Sequence, residues 1–394
     1  MALRIAHLSF SRTGGAGGVA SRLADIQRTI GHDSRVVSAI TGSLRDAPLA
    51  NPRHTLAAAT DENIIRKPGF GSLISLRRDR LNSDVGAVID SSDVIHIHWP
   101  NGFVDLEWLA EKSHGKKVVW TLHDMNAFTG ACHYSLGCEG FRESCAQCPA
   151  VRAMAQESVP RHLSHKIQAL EAFSNLQVVS PSHWLAQEAS ASRALGGYSI
   201  EVIPNPLPAD LPPVQPRQQA REKLGLSGSE RVVLALSASH LDDPVKAARV
   251  AIDAFKKAFP SRDATMFVMG RGPLEAHDGI RPLGFVPSEQ SRTVMAASDY
   301  LVVPSRAENQ PLVISEAQAM GASIIVRNGT GLPEHLDINP AGLSFKNDAE
   351  LPTVLNQAAT NAPNDATRAT LAEKARDKFA PEAIARAYDA IYAS

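Results

Sequence analysis

Two carboxylates, Glu308 and Glu316, bracket the stretch whose chemistry is most readable. The apolar run Tyr300–Pro304 leads into it and reads as a buried parallel strand. A polar turn follows, and then Pro311, which suits a first helical position because its missing N–H would be unpaired there anyway. The helix is expected to run to about Met320. Glu308 then lies in the loop at the carboxyl end of the strand, where open α/β sheets bind ligands, and Glu316 lies on the helix. Backbone N–H groups near Asn309, Gln310 and Leu312 suit an anion, because a helix start carries partial positive charge. Two carboxylates for polyol hydroxyls beside one anion-sized spot form a layout that fits a nucleotide diphospho-sugar. The same residues also read as an ordinary helix start, with acidic groups favoured by the dipole.

Other candidates are spread along the chain. Gly14-Gly15-Ala16-Gly17-Gly18 separates a strand, Arg4–Phe10, from an expected helix, Val19–Ile30. That order matches a phosphate-binding loop or a tight structural turn, and it is not a G-x-G-x-x-G pattern. His96 and His98 share one face of the strand Asp93–Trp99, because strands alternate with period two. They read as a metal pair or as hydrogen-bonded core or cleft histidines; no third ligand is near in sequence. His123 closes the strand Lys117–Asp124 at its carboxyl end. Lys246 follows Asp242-Asp243-Pro244-Val245 near a helix start, where a lysine meets phosphate as a point charge or simply faces solvent. Arg271 closes the strand that begins at Thr265. Cys132, Cys138, Cys145 and Cys148 have the spacing C-x5-C-x6-C-x2-C, which admits a structural zinc site or four free thiols, with His133 as a competing ligand.

Strand-helix alternation repeats on both sides of a proline-rich linker containing Asn205-Pro206-Leu207-Pro208, Pro212, Pro213 and Pro216. A chain of 394 residues has room for two domains. The expected division is 1–205, 206–380 and a helix at 381–394 that crosses back to the first domain. The fold class is therefore α/β, with two doubly wound Rossmann-like domains facing a central cleft. With 40 basic and 41 acidic residues the net charge is −1, which argues against nucleic acid as a partner. Met1–Phe10 is too short and too soon broken by glycines to be a signal peptide, and no apolar run approaches a membrane span. A cytoplasmic protein is expected. Residues 64–81 combine Arg66, Lys67, Arg77, Arg78 and Arg80 with Ile64, Ile65, Phe70, Leu73, Ile74 and Leu76. They read as a peripheral contact with the inner face of the membrane or as a solvated basic face packed on the sheet.

The motif from Glu308 to Glu316 resembles the E-x7-E of the retaining GT-B glycosyltransferases of family four. The likeness also takes in the Gly-rich loop, Thr121-Leu122-His123-Asp124, Ser180-Pro181-Ser182-His183-Trp184, Val202-Ile203-Pro204-Asn205, Lys246 and Glu316-Ala317…Met320-Gly321. The string from Thr129 to Pro149, with its four cysteines, resembles a narrower branch that builds exopolysaccharides or cell-surface glycans. The resemblance implies a metal-independent hexosyltransferase with a nucleotide diphospho-sugar donor and a glycan or lipid-linked acceptor. It implies an N-terminal acceptor-side domain and a C-terminal nucleotide-sugar domain. Glu316 would bind ribose and Glu308 the donor sugar. Lys246 would neutralise the diphosphate, with Gly15, Arg271, Asn309, Gln310, Pro311 and Leu312 completing the donor site. His123 would reach the transferred sugar, making Glu308, His123 and Lys246 the catalytic set. Gly14, His98 and Asn101 would lie on the acceptor side. No Asp-x-Asp motif is evident, so no catalytic divalent ion is expected.

The sequence departs from the family in one place. An arginine usually precedes the lysine and a glycine follows it; here Ser239-His240 and Ala247 stand there. Arg271 is the substitute cation the sequence offers. Two other readings stay in view: a nucleotide-sugar epimerase of the same fold and, suggested by the missing arginine, a non-catalytic partner in a glycan-assembly complex.

Overall fold

The computed structural model describes residues 2–40, 65–76, 83–226, 228, 230–260, 263–275 and 277–394. The chain forms two compact units, Met1–Ala209 with Pro381–Ser394, and Asp210–Ala380. Each is built on a parallel six-stranded sheet.

The first unit contains β1 (Arg4–Ser11), β2 (Asp33–Ile40), β3 (Val94–Trp99), β4 (Lys117–Thr121), β5 (Leu176–Ser180) and β6 (Ile200–Val202). Their order is β2-β1-β3-β4-β5-β6, so the strand order reverses between β1 and β3. Helix α1 (Gly14–Thr29) follows β1. It begins at Gly14, so the glycine run is the first turn of the helix and not the loop before an expected start at Val19. Packing overrides the poor helix propensity of glycine here. A methyl on Gly17 would lie 2.1 Å from the Ser11 carbonyl oxygen, so only glycine lets α1 close onto the end of β1. Further helices are α2 (Ser83–Ser91), α3 (Leu106–Lys112), α4 (Ser158–Ala172) and α5 (His183–Ser190). Asp105 caps α3 by accepting from Trp108 N–H at 3.0 Å, and Ser182 caps α5 by accepting from Leu185 N–H at 3.2 Å.

Within the basic-apolar stretch, Arg77, Arg78 and Arg80 lie outside the described residues. The described part is tied down by isolated antiparallel bridges, Arg66 to Val151 and Ile74 to Cys132. Ile74 is buried, and Ile65, Phe70 and Leu76 pack against the core of this unit; Leu73 is exposed. Among the described residues, no helix is long and apolar enough to cross a membrane.

The second unit contains β7 (Val232–His240), β8 (Ala264–Arg271), β9 (Ile280–Gly284), β10 (Tyr300–Val303), β11 (Ser323–Arg327) and β12 (Leu343–Phe345). Their order is β12-β11-β10-β7-β8-β9, with the reversal between β7 and β10. Alternate residues of β7 feed two cores. Val232, Leu234 and Leu236 pack with α7 (Ala248–Ala258) and α10 (Leu351–Thr360). Val233 and Ala235 pack on the other face with α8 (Ser288–Ala297) and α9 (Leu312–Ala319). The buried Asp299 carboxylate gathers Arg217 and Arg221 of α6 (Arg217–Lys223) and accepts from Val233 N–H at 2.8 Å. Arg368 of α11 (Asp365–Lys378) donates to the Ser298 and Ala296 carbonyls beside it. The last helix, α12 (Pro381–Ala393), belongs to the first unit and packs on α1 and β4.

Replacing Gly17 by alanine is expected to destabilise the protein by about 1–3 kcal/mol, because backbone must move to admit the methyl. Gly15, with open space around its Cα, should change by no more than about 0.5 kcal/mol in the same substitution. Urea unfolding of both variants checks this, and equal midpoints would contradict it.

Candidate functional site

In the second unit, the turn after β7 is shaped by Asp243. Its carboxylate accepts from Val245 N–H at 2.8 Å and Lys246 N–H at 3.2 Å, and its carbonyl accepts from Ala247 N–H at 2.9 Å. Ala247 then adopts a left-handed conformation, φ 52° and ψ 32°. A non-glycine side chain costs about 1–2 kcal/mol in this region, a cost that glycine would relieve. The turn delivers Lys246 to the carboxyl end of β7.

Glu308 arrives from the loop after β10. Its carboxylate contacts the Lys246 ammonium directly. Glu308 is 7% exposed, and Gly331 N–H donates to its carbonyl at 3.1 Å. The loop is tied back to the lysine turn by Arg306 N–H, which donates to Val245 O at 2.7 Å. Burial of Lys246 works against its charge, but the Glu308 carboxylate outweighs it, so the lysine pKa is raised. The pair spans β7 and β10, the two strands between which the order reverses; ligands of doubly wound sheets bind at such a point. Pro311 is the N-cap of α9, one position earlier than its expected place inside the helix. Asn309 and Gln310 are buried beside it, and Glu316 is partly buried on α9. Arg271, at the end of β8, stacks on the exposed Phe285 ring, 4.6 Å from its centroid. The structure therefore joins Lys246 to Glu308 and gives Arg271 an aromatic partner instead.

In the first unit, Gly14 and Gly15 lie just beyond β1, while His98 is the penultimate residue of β3 and Asn101 follows that strand. His123 and Asp124 follow β4. His98, Asn101, His123 and Asp124 line one small pocket. His98 Nδ1 is 2.9 Å from His123 Nε2, and His98 Nε2 is 3.0 Å from His7 Nδ1. His7 Nε2 lies 2.8 Å from Gln27 Oε1. His96 uses both ring nitrogens, with Tyr392 OH and Thr121 Oγ1 each at 2.8 Å. His7, His96 and His98 are the one trio of metal-ligand type found close enough to share an ion among the described residues. Since every ring nitrogen of the three has a hydrogen-bond partner, they read as a satisfied polar core. Sequence reasoning missed His7, Gln27, Tyr388 and Tyr392. His7 sits at an inward position of β1, in line with His96, and that alignment was the available signal.

Burial pushes His7 and His123 down to about 4, and holds His96 and His98 well below their ordinary value. Burial would raise the Asp124 pKa, but His133 and the Asn126 N–H lower it overall. His133 donates from Nδ1 to Asp124 Oδ2 at 2.6 Å, and its Nε2 lies 2.8 Å from Ser75 Oγ, so both its ring nitrogens are engaged away from the cysteines. The four cysteines are free thiols lining one pocket with Phe70 and Phe141. Gly130 N–H donates to Cys145 Sγ at 3.2 Å and Gly140 N–H to Cys138 Sγ at 3.5 Å. Burial pushes the Cys132 thiol up to about 12.

Residues 230–361 match the family described as Glycosyl transferases group 1. The chain is 26% identical over 295 residues to the putative colanic acid biosynthesis glycosyl transferase WcaC of Escherichia coli, covering 68% of this chain and 66% of the relative. It is 28% identical over 260 residues to the D-inositol 3-phosphate glycosyltransferase of Mycobacterium ulcerans, covering 61% of this chain and 50% of the relative. The chain thus spans about half to two thirds of the length of these curated relatives. Among solved structures, Anabaena Alr3699/HepE in complex with UDP superposes with a TM-score of 0.61 at 18% identity, covering 98% of each chain. That likeness shows the fold, α/β of the GT-B class.

The depressed histidines set a pH dependence. The unfolded chain takes up protons near pH 6.5, before the folded one does near 4, so it binds more protons in between. Their contribution to stability is complete above about 6.5 and falls as pH drops toward 4. Urea midpoints should fall between pH 7.5 and pH 5, well above the range in which the Arg4-paired Asp93, held at about 2, titrates. A midpoint unchanged over that interval would contradict the assignment.

Proposed function

We propose that this chain, which carries a group 1 glycosyl transferase domain at residues 230–361, moves a hexosyl group from a nucleotide diphospho-sugar to a glycan or lipid-linked acceptor, with retention of anomeric configuration. The observation that carries this is the Lys246–Glu308 pair at the strand-order reversal of the second unit, beside the start of α9. Glycosyl transfer builds positive charge on the sugar and negative charge on the departing phosphate, so fixed charges aimed at both lower the barrier. The Lys246 ammonium has three N–H donors; with one on Glu308, others remain for a diphosphate oxygen. Glu308 would then be a carboxylate beside both the sugar and the leaving group, and Glu316, on α9, would bind ribose hydroxyls. Gly15, Asn309, Gln310, Pro311 and Leu312 would complete the donor site, and Arg271 with Phe285 offers a cation and an aromatic face at the same sheet edge. His123 would contact the transferred sugar, and Gly14, His98 and Asn101 the acceptor.

The solved relative holding UDP supports a nucleotide donor, and WcaC's description supports a role in surface-polysaccharide synthesis. Both curated relatives are described as transferases, which does not favour an epimerase. A non-catalytic role is distinguished by nucleotide-sugar binding, which a scaffold does not require. The reaction is proposed to need no catalytic metal and to take place in the cytoplasm, with residues 64–81 at the inner membrane face.

The two glutamates separate binding from turnover. Glu316→Ala should weaken donor binding by one to two decades, the effect of losing a charged hydrogen-bond partner worth roughly 1.5–3 kcal/mol. Glu308→Gln keeps the side-chain volume beside Lys246 and should lower turnover more than donor affinity. Calorimetry with a nucleotide sugar and initial rates with a working acceptor read the two effects. Variants that bind and turn over like wild type would remove the centre of this reading.

The cysteine pocket supports a second, structural proposal, that Cys132, Cys138, Cys145 and Cys148 hold zinc. Thiols fit zinc, and backbone N–H groups already donate to two of the sulfurs. The four sulfurs are spread around the pocket and would draw together on the metal. Elemental analysis of purified protein should find about one zinc per chain. Folded, metal-free protein with four titratable thiols would overturn it.

A further inference from the structure

We propose that Gln27, His7 and His98 act as positioning residues that fix the tautomer of His123, leaving Nδ1 as its unprotonated nitrogen. The direction of the chain follows from its buried end. Gln27 donates through Nε2 to Tyr392 OH at 3.0 Å, so its Oε1 is the atom turned to His7. Ser34 Oγ also donates to that oxygen, at 2.8 Å, so its own oxygen, 3.1 Å from His7 Nε2, faces that nitrogen as a second acceptor. An oxygen that only accepts requires a proton on His7 Nε2, which leaves His7 Nδ1 as an acceptor. His98 must then donate from Nε2, across 3.0 Å, and accept at Nδ1. His123 must in turn donate from Nε2, across 2.9 Å. Its Nδ1 is left with a lone pair.

The chain transmits this choice because each ring carries one proton. The three histidines are desolvated, and the charge of Arg28 further opposes a second proton on His7. Asp124, next to His123, pulls the other way without overcoming burial. The anchor lies far from His123 in sequence, in α1 and in α12. Tyr388 OH shares a 2.8 Å hydrogen bond with Thr121 of β4, and Tyr392 OH one of 2.8 Å with His96 of β3, so two tyrosines hold α12 against the sheet.

The consequence is chemical. His123 lines the pocket with Asn101 and Asp124. A ring with a bare Nδ1 accepts a hydrogen bond from a hydroxyl, whereas the opposite tautomer would donate one. This rests on the transferase reading only for the identity of that hydroxyl, a sugar hydroxyl of donor or acceptor. The tautomer itself is independent of activity.

The test is long-range nitrogen–proton NMR on full-length protein labelled with 15N at histidine, with His123 assigned by a His123→Gln variant. His123 is expected to show the Nε2–H pattern. A wild-type Nδ1–H pattern would overturn the proposal without any variant having to fold. Gln27→Leu removes the one group there that can only accept, leaves the Ser34 hydroxyl, which can donate or accept, against His7 Nε2, and should shift His123 toward a mixture of tautomers. Gln27→Glu, which keeps the acceptor oxygens, should restore the Nε2–H pattern. In assays with a working donor and acceptor, Gln27→Leu should lower kcat about tenfold or more, and Gln27→Glu should recover most of it. A folded Gln27→Leu protein with the wild-type tautomer would overturn the relay. Absence of transfer with any donor, together with the expected tautomer, would count against the transferase reading alone.

Discussion

The second unit depends on a carboxylate and an ammonium meeting where the strand order reverses. Glu308 is nearly buried, and a buried carboxylate needs a charged or hydrogen-bonded partner. Lys246 supplies the charge, and Asp243 shapes the turn that brings it there. The cost is a left-handed alanine at Ala247, accepted without the glycine that would relieve it. The Arg306–Val245 and Gly331–Glu308 backbone bonds then hold both loops in register. Behind them, the Asp299 cluster of arginines fixes the start of β10, the strand from which Glu308 departs.

The first unit solves a different problem. Parallel strands buried on both faces normally carry aliphatic side chains, yet β1 and β3 place three histidines in the interior. Neutral rings in a low-dielectric core are stable only if their nitrogens are paired. Gln27, Ser34, Thr121 and Tyr392 pair with the rings, Tyr388 hydrogen-bonds Thr121 behind them, and both tyrosines come from α12. The carboxy-terminal helix is therefore part of the polar core of the first unit. It covers that core with hydroxyl groups where an aliphatic helix would leave the histidines unsatisfied.

Much of this was readable in advance. Apolar runs such as Tyr300–Pro304 and Lys117–Thr121 mark strands because both their faces are buried, and prolines mark the passage between units. Period two put His96 and His98 on one face, and the rings are indeed stacked, 4.2 Å between centroids. The glycine run was misread because propensity treats glycine as a helix breaker, while the close approach of Gly17 to Ser11 demands it inside the helix. The Lys246–Glu308 contact was legible only through the family resemblance, which put both residues in one site; residue types and spacing hide it, because the two are far apart in sequence and only strand order brings β7 beside β10. The histidine relay was hidden for the same reason, since its anchors lie near opposite ends of the chain.

The central claim is that Lys246 and Glu308 form the diphosphate end of a nucleotide-sugar site. Titration calorimetry of wild type and Lys246→Gln with UDP, GDP and ADP tests it most directly. The account predicts that wild type binds at least one of these nucleoside diphosphates and that the variant, still folded, binds it at least tenfold more weakly. Equal affinity in the two proteins, or no binding of any of the three by wild type, would contradict it.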